Sequence, residues 1–369
     1  MRVTEILSVP LKKLDRVLLL GPPGIGKTEI IYQKAVAEAE KEKRVFVDLR
    51  KASLEQLEEI YHHPEKYFVY LRLIATHIFP EDVSIPREVN RLAVIFKTPM
   101  TIAVLTKPEI KGVLFIDELT NIQRTDQRVL FYSLIQEKEI GWNVKLSDDI
   151  VVVAASNPPE WSADASLLAN PLINRMTVVN VEQPTIDEWY NYMNRRFEDA
   201  WDKRVYAYLK MYPEDFIRRP DDVETLENFP TPRAWTRLAT IISGINSFNI
   251  VSEYAFGTVG KQAGAKFAAF LKTEIPSVEE FLNKFAEYWE YFGMEQKFLM
   301  TYSVAQKAGR MLTNAKLQRF LRYLMDYERE MLMLLILMMP KGHRIKMLNT
   351  KGTKEIIIEL ADKLKNYIV

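Results

Sequence analysis

The 369 residues are enough for two or three domains with a core each, and 48% apolar with 27% charged residues is globular composition. Fifty Lys and Arg against 49 Asp and Glu leave a formal charge of +1, which excludes a global field drawing the chain to nucleic acid or an anionic membrane and leaves only a local basic groove open. Without cysteine there is no disulfide framework, thiolate nucleophile or Cys-ligated zinc, and His62, His63, His77 and His343 are too scattered for a His-based metal site.

The first segment, MRVTEILSVPLKKLDRVLLLGPP, is broken by charges and is not expected to be a signal peptide. The longest apolar run, Met331 to Met339, is too short to span a bilayer, so the expectation is a soluble, cytoplasmic protein with no membrane span. In chain order, Val17 to Leu20 reads as a short buried strand, Lys27 to Lys41 as a helix and Val45 to Leu49 as a second strand. Val113 to Ile116 follows as a third strand, Asp126 to Glu137 as a helix, Ile150 to Ala155 as a fourth strand and Met176 to Val181 as a fifth. Continuous apolar strands alternating with helices predict an α/β domain over residues 1–182, a parallel sheet flanked by helices.

Between Tyr67 and Lys111 the pattern breaks into β-like pieces punctuated by Pro80, Pro86, Pro99 and Pro108, and this segment is expected to be an insertion. After Gln183 and Pro184 helices take over, with one helical region expected over 183–272 and another over 273–369. In the second, Leu317, Leu321, Leu324, Met331, Leu335 and Met338 form a stripe at helical spacing, read as the core of a bundle.

The stretch VLLLGPPGIGKTEI satisfies G-x-x-x-x-G-K-[ST], following a strand and opening a helix as a phosphate loop must. Its glycines let backbone N–H groups converge on phosphate oxygens, and the helix N-terminus adds partial positive charge. The expected nucleotide contacts are Gly21, Pro22, Pro23, Gly24, Ile25, Gly26, Lys27, Thr28 and Glu29, with Lys27 reaching the β- and γ-phosphates and the Thr28 hydroxyl on Mg²⁺. In GVLFIDELT, four apolar residues carry Asp117 and Glu118 to the carboxyl end of a buried strand, the edge where ligands bind in such sheets. Asp117 is expected to hold the metal, and Glu118 to orient and deprotonate the attacking water. In IVVVAASNPPEW, Asn157 ends another strand where its amide can bond both the γ-phosphate and that water, while also forming an Asn-Pro turn.

These pieces in this order resemble the AAA+ ATPases: GPPGIGKT as Walker A, VLFIDE as Walker B, AASN as sensor 1, LINRM as the arginine-finger segment and PTPRAW as sensor 2. Within that superfamily the chain looks like the MoxR-type branch, in VFVDLRKASLEQL, ELTNIQRTDQRVLFYSLIQEKEIG and ASNPPE; the resemblance runs from about residue 14 to 272. It implies a P-loop sheet followed by an α-helical lid, ATP and Mg²⁺ as cofactors, and a homo-oligomeric ring, a hexamer. By the same resemblance Arg175 faces the γ-phosphate of a neighbouring subunit, with Arg124 a competing candidate, and Arg233 reads the nucleotide from the lid. The residues from 67 to 111 would be the branch's helix-2 insert and EIGWNVKLSDD its pre-sensor-1 hairpin, with Trp142 either gripping a polypeptide or packing the hairpin.

The expected function is therefore a ring-forming Mg-ATP hydrolase that remodels a protein or protein complex. A motor or loader on DNA or RNA is the alternative, with Arg72, Arg87, Arg91 and Lys97 on the insert as its basic residues. A monomeric switch or small-molecule kinase would leave Arg175 and Arg233 without a role.

Overall fold

The structure is a computed structural model that describes residues 1–90, 93–141, 144–161, 174–218 and 228–365. The described residues fall into two compact units, one from Met1 to Pro184 and a second from Thr185 onward.

The strands of the first unit are β1 (Val17–Leu20), β2 (Val45–Asp48), β3 (Tyr67–Ile74), β4 (Ile85–Asn90), β5 (Ala93–Lys97), β6 (Lys111–Asp117), β7 (Ile150–Ser156) and β8 (Thr177–Asn180). Six of them form one sheet in the order β2-β3-β6-β7-β1-β8, every neighbouring pair parallel. Its helices include α1 (Val3–Ser8), α2 (Lys27–Lys41), α3 (Leu54–His62), α4 (Pro80–Val83), α5 (Met100–Leu105) and α6 (Thr125–Glu137). The central strands are mostly apolar because both faces are covered. On one face Leu18, Val69, Leu114 and Val152 pack with Leu57 and Ile60 of α3, Ile102 and Leu105 of α5, and Phe131 and Leu134 of α6. On the other, α2 lies against β2, β3 and β6.

Tyr67–Ile74, assigned from sequence to an insertion running to Lys111, is a strand of the main sheet between β2 and β6, registered Phe68 to Lys111 and Ile74 to Asp117. What stands apart from the sheet is the antiparallel ribbon β4–β5. Ile85, Val89, Val94, Ile95 and Phe96 on that ribbon are exposed.

In the second unit, the expected division at Lys272 is not marked by any break in the core. A single cluster of buried side chains runs from Trp189 and Trp235 through Phe267 to Phe320, Leu335 and Leu360. The Met/Leu stripe is core, as expected: Leu317, Leu321, Leu324, Leu335 and Met338 are fully buried and Met331 nearly so. It is carried by two helices, Ala315–Tyr327 and Arg329–Met338, separated at Glu328.

Lys203 is buried in this unit, its ammonium donating to Asn194 Oδ1 at 2.9 Å and lying 4.5 Å from the Trp201 ring. Burial, outweighing the attraction of Asp199, brings its pKa from about 10.5 down to about 8. Near neutral pH the folded state carries a proton it holds poorly, and above about 10.5 neither state carries it, so stability rises with pH across that window. Lys203→Met removes the group. Wild type should therefore gain on the order of 2 kcal/mol relative to this variant between pH 7.5 and 10.5, measured by urea unfolding at both ends. A pH-independent difference would show that the ammonium is hydrated.

Candidate nucleotide site

The carboxyl ends of β1, β6 and β7 meet at one edge of the sheet, with Leu20 registered to Ser156 and Ile116 to Ala154. The loop from Gly21 to Gly26 leaves β1 at this edge and opens α2. Gly26 takes φ +97°, a left-handed conformation that side chains resist. A Cβ at Gly21 would lie 2.8 Å from the Val181 carbonyl and 2.9 Å from Ile25 Cδ1, so that close approach needs glycine. No side chain caps α2, which leaves its first N–H groups facing the loop.

Lys27 is 7% exposed, and its Nζ donates to Gly21 O at 2.6 Å, Pro22 O at 2.8 Å and Asn157 Oδ1 at 2.9 Å. The predicted phosphate-binding lysine and the predicted strand-end amide are thus in direct contact across 130 residues of sequence. Thr28 Oγ1 donates to Asp117 Oδ2 at 3.0 Å. A hydroxyl and a carboxylate at that separation fit the oxygen donors that Mg²⁺ prefers. Asp117 Oδ1 accepts from the Glu118 N–H at 3.1 Å.

Glu118 has φ +60°, a strained conformation for a residue with a side chain, and it turns the chain sharply off the end of β6. The following residues are tied to β7. Thr120 N donates to Ser156 Oγ at 3.0 Å, the Thr120 and Ser156 hydroxyls share a short hydrogen bond, and Thr120 Oγ1 donates to Asn157 O at 3.3 Å. Thr120 escaped the sequence reading, although its place three residues after Asp117 put it beside the strand ends.

Arg72 also escaped it. Expected from sequence to be one of the basic residues of the insert, it lies on β3 with Nε 3.0 Å and Nη2 2.7 Å from Asp117 Oδ2. The available signal was its place as the one charge inside YFVYLRLIA.

The remaining arginines are placed differently. Arg124 is paired with Asp126 and lies 4.7 Å from the Phe79 ring, so its cation is engaged within its own chain. Arg175 is exposed and has no carboxylate partner among the described residues. It lies two residues before β8, whose Thr177 is level with Val17 at the start of β1, and the Thr177 N–H donates to Arg16 O at 3.0 Å. That is the amino edge of the sheet, opposite its own phosphate loop. Arg233 belongs to the second unit, exposed in the first turn of the helix Pro232–Ile241, whose N-cap Thr231 accepts from Ala234 N. The Glu139 and Lys145 bridge closes the expected hairpin, but Trp142 lies outside the described residues, as does Arg91.

The roles expected of Lys27 and Glu118 are separable by experiment. Lys27→Ala should abolish ATP binding, measured by equilibrium binding. Glu118→Gln should bind ATP with near wild-type affinity while steady-state turnover falls about 100-fold or more. Equal loss of binding and turnover in Glu118→Gln would argue against its action on water.

Residues 17–181 match the family model described as "ATPase family associated with various cellular activities (AAA)". Among curated proteins, none matches the chain in sequence. Of solved structures, the chain is similar to the Thermotoga maritima RuvB Holliday junction branch migration motor, at 16% identity over 78% of this chain and 76% of that one, with a TM-score of 0.34. It is also similar to Brucella abortus NtrX in complex with ADP, at 13% identity over 87% and 67% of the two chains with a TM-score of 0.37. Caenorhabditis elegans PCH-2 is similar at 14% identity over 72% and 60%, with a TM-score of 0.27. The phosphate loop, the paired acids and the strand-end amide accordingly lie in an AAA ATPase domain, and the chain is an ATP hydrolase.

Proposed function

We propose that the chain is a ring-forming Mg-ATP hydrolase of the MoxR-like type, hexameric and cytoplasmic, that remodels a protein or protein complex. The reading is carried by Arg175. Its cradle follows the carboxyl edge of β1, while Arg175 lies toward the amino edge, separated from it by at least the length of that strand, about 13 Å. An exposed guanidinium at that edge suits the nucleotide of an adjoining copy better than its own.

In this mechanism Lys27 and the loop N–H groups hold the phosphates, and Asn157 orients the γ-phosphate and the attacking water. Thr28 and Asp117 would hold magnesium, which supplies charge neutralisation at the phosphate oxygens when bound. Glu118 takes the proton from the water. Arg175 of the adjoining copy stabilises charge on the transferring phosphoryl group, a contribution of about 10³ to 10⁵ in rate where such fingers act. Arg233 reports the state of the nucleotide to the helical unit.

A protein client is favoured over nucleic acid by the ribbon β4–β5. Its exposed Ile85, Val89, Val94, Ile95 and Phe96 outnumber Arg87 and Lys97, the described cations left there once Arg72 is assigned to β3.

Subunit mixing tests the shared site. Lys27→Ala and Arg175→Ala chains should each be inactive alone, and mixing them should restore a fraction of wild-type ATPase, because each supplies what the other lacks. Mixtures as inactive as their parts, under conditions where wild-type copies assemble, would rule out action between subunits.

A further inference from the structure

Asp117 Oδ2 receives three hydrogen bonds: from Thr28 Oγ1 at 3.0 Å, Arg72 Nε at 3.0 Å and Arg72 Nη2 at 2.7 Å. The carboxylate is nearly buried, and the Arg72 side chain is only 27% exposed. The pair is therefore shielded from the screening that weakens surface ion pairs. Strand register produces it. Ile74 is level with Asp117 and Arg72 with Phe115, so Arg72 rises from two residues lower on the adjacent parallel strand to meet the carboxylate. Asp48, the acid at the end of β2, is already paired with Arg50 at 3.2 Å.

The two kinds of donor on Oδ2 differ in what they can do for a cation. A threonine hydroxyl can rotate and turn its lone pairs toward a metal while staying in place. A guanidinium has N–H donors and no acceptor, so it cannot share the lone pairs of Oδ2 with a divalent cation, and a cation bound directly to that oxygen displaces it.

We propose that Arg72 is a positioning residue that competes with the divalent cation for Asp117, raising the cation concentration at which the site fills. The inference rests on the reading of Asp117 as the metal-holding acid. Arg72 keeps the carboxylate compensated and aimed. Filling the site requires enough differential binding to break a two-pronged ion pair, and this is available when nucleotide phosphates contribute further oxygens. The residue thereby couples metal entry to nucleotide entry.

The test is a Mn²⁺ titration of the full chain saturated with ADP, read by the EPR signal of free Mn²⁺, which needs no turnover. Arg72→Gln keeps the side-chain length and removes the charge, and should lower the Mn²⁺ half-saturation concentration about tenfold. Arg72→Lys, which retains a cation but loses the two-pronged geometry, should fall between it and wild type. Thermal melts in EDTA should show cooperative unfolding for both variants, at lower temperature for Arg72→Gln, whose Asp117 has lost its partner. The double variant Arg72→Gln with Asp117→Asn should bind Mn²⁺ no better than Asp117→Asn alone if Arg72 acts through that carboxylate. Unchanged or weaker Mn²⁺ binding in Arg72→Gln, with Asp117→Asn clearly impaired, overturns the competition while leaving the metal assignment standing. Wild-type Mn²⁺ binding in Asp117→Asn overturns the assignment itself, and the inference with it.

Discussion

A buried ammonium organises the ATP end of the sheet. Lys27 reaches two carbonyls of its own loop and the side-chain oxygen of Asn157 at the end of β7, all within 2.9 Å. A buried cation is costly unless its donors are satisfied, and here uncharged oxygens contribute to that satisfaction. The consequence is mechanical as well as electrostatic. One side chain ties the phosphate loop to a strand more than a hundred residues away, so the loop is pre-shaped by the group that, under the proposed function, meets the phosphates. Carbonyl and amide dipoles give up that ammonium to an anionic oxygen more readily than a paired carboxylate would.

The acid side of the site solves a different problem. The carboxyl end of β6 carries two adjacent acids, of which Asp117 accepts from Thr28 Oγ1 and Glu118, under the proposed function, serves the attacking water. A regular strand would alternate them across the sheet. The left-handed turn at Glu118 permits a different arrangement, at a cost on the order of 1–3 kcal/mol. It is held by the Asp117 to Glu118 bond, by the Asn121 N–H on Glu118 O at 3.0 Å, and by Thr120 bound to Ser156 of β7. Strain at Glu118 and a guanidinium on the neighbouring Asp117 are therefore local properties of one strand end. Neither requires a change elsewhere in the fold.

How much of this was legible follows from how local each signal is. Val17–Leu20 and Lys27–Lys41 were read with their observed limits because glycines, a buried run and a helix start stand next to one another in the chain. The positions of Asp117, Glu118 and Asn157 at or just past strand ends were legible for the same reason, each following an apolar run. β3 was not, because its apolar residues are interrupted by Arg72 and followed by a proline-punctuated stretch, which reads as a departure from the sheet. The Arg72 to Asp117 pair spans 45 residues and exists only once β3 is seated beside β6. No periodicity within either segment encodes that adjacency. Likewise, the helices on either side of Lys272 look separable in sequence, and only the shared burial of Trp235, Phe281 and Phe320 shows that they are not.

That shared core bears on how hydrolysis could do work. A small lid ending at Lys272 could rotate with little resistance, but it would carry only its own surface. In this chain Trp189, Phe267, Phe281, Phe320 and Leu360 belong to one buried cluster, so bending within the helical unit would open close-packed aromatic and aliphatic contacts. Under the proposed function, a pull on Arg233 at the start of Pro232–Ile241 is therefore passed to the whole unit as one body, because close-packed cores transmit strain rather than absorb it. The C-terminal helices then act as part of the lever, which gives a remodelling ATPase a larger moving surface for the same change at the phosphates.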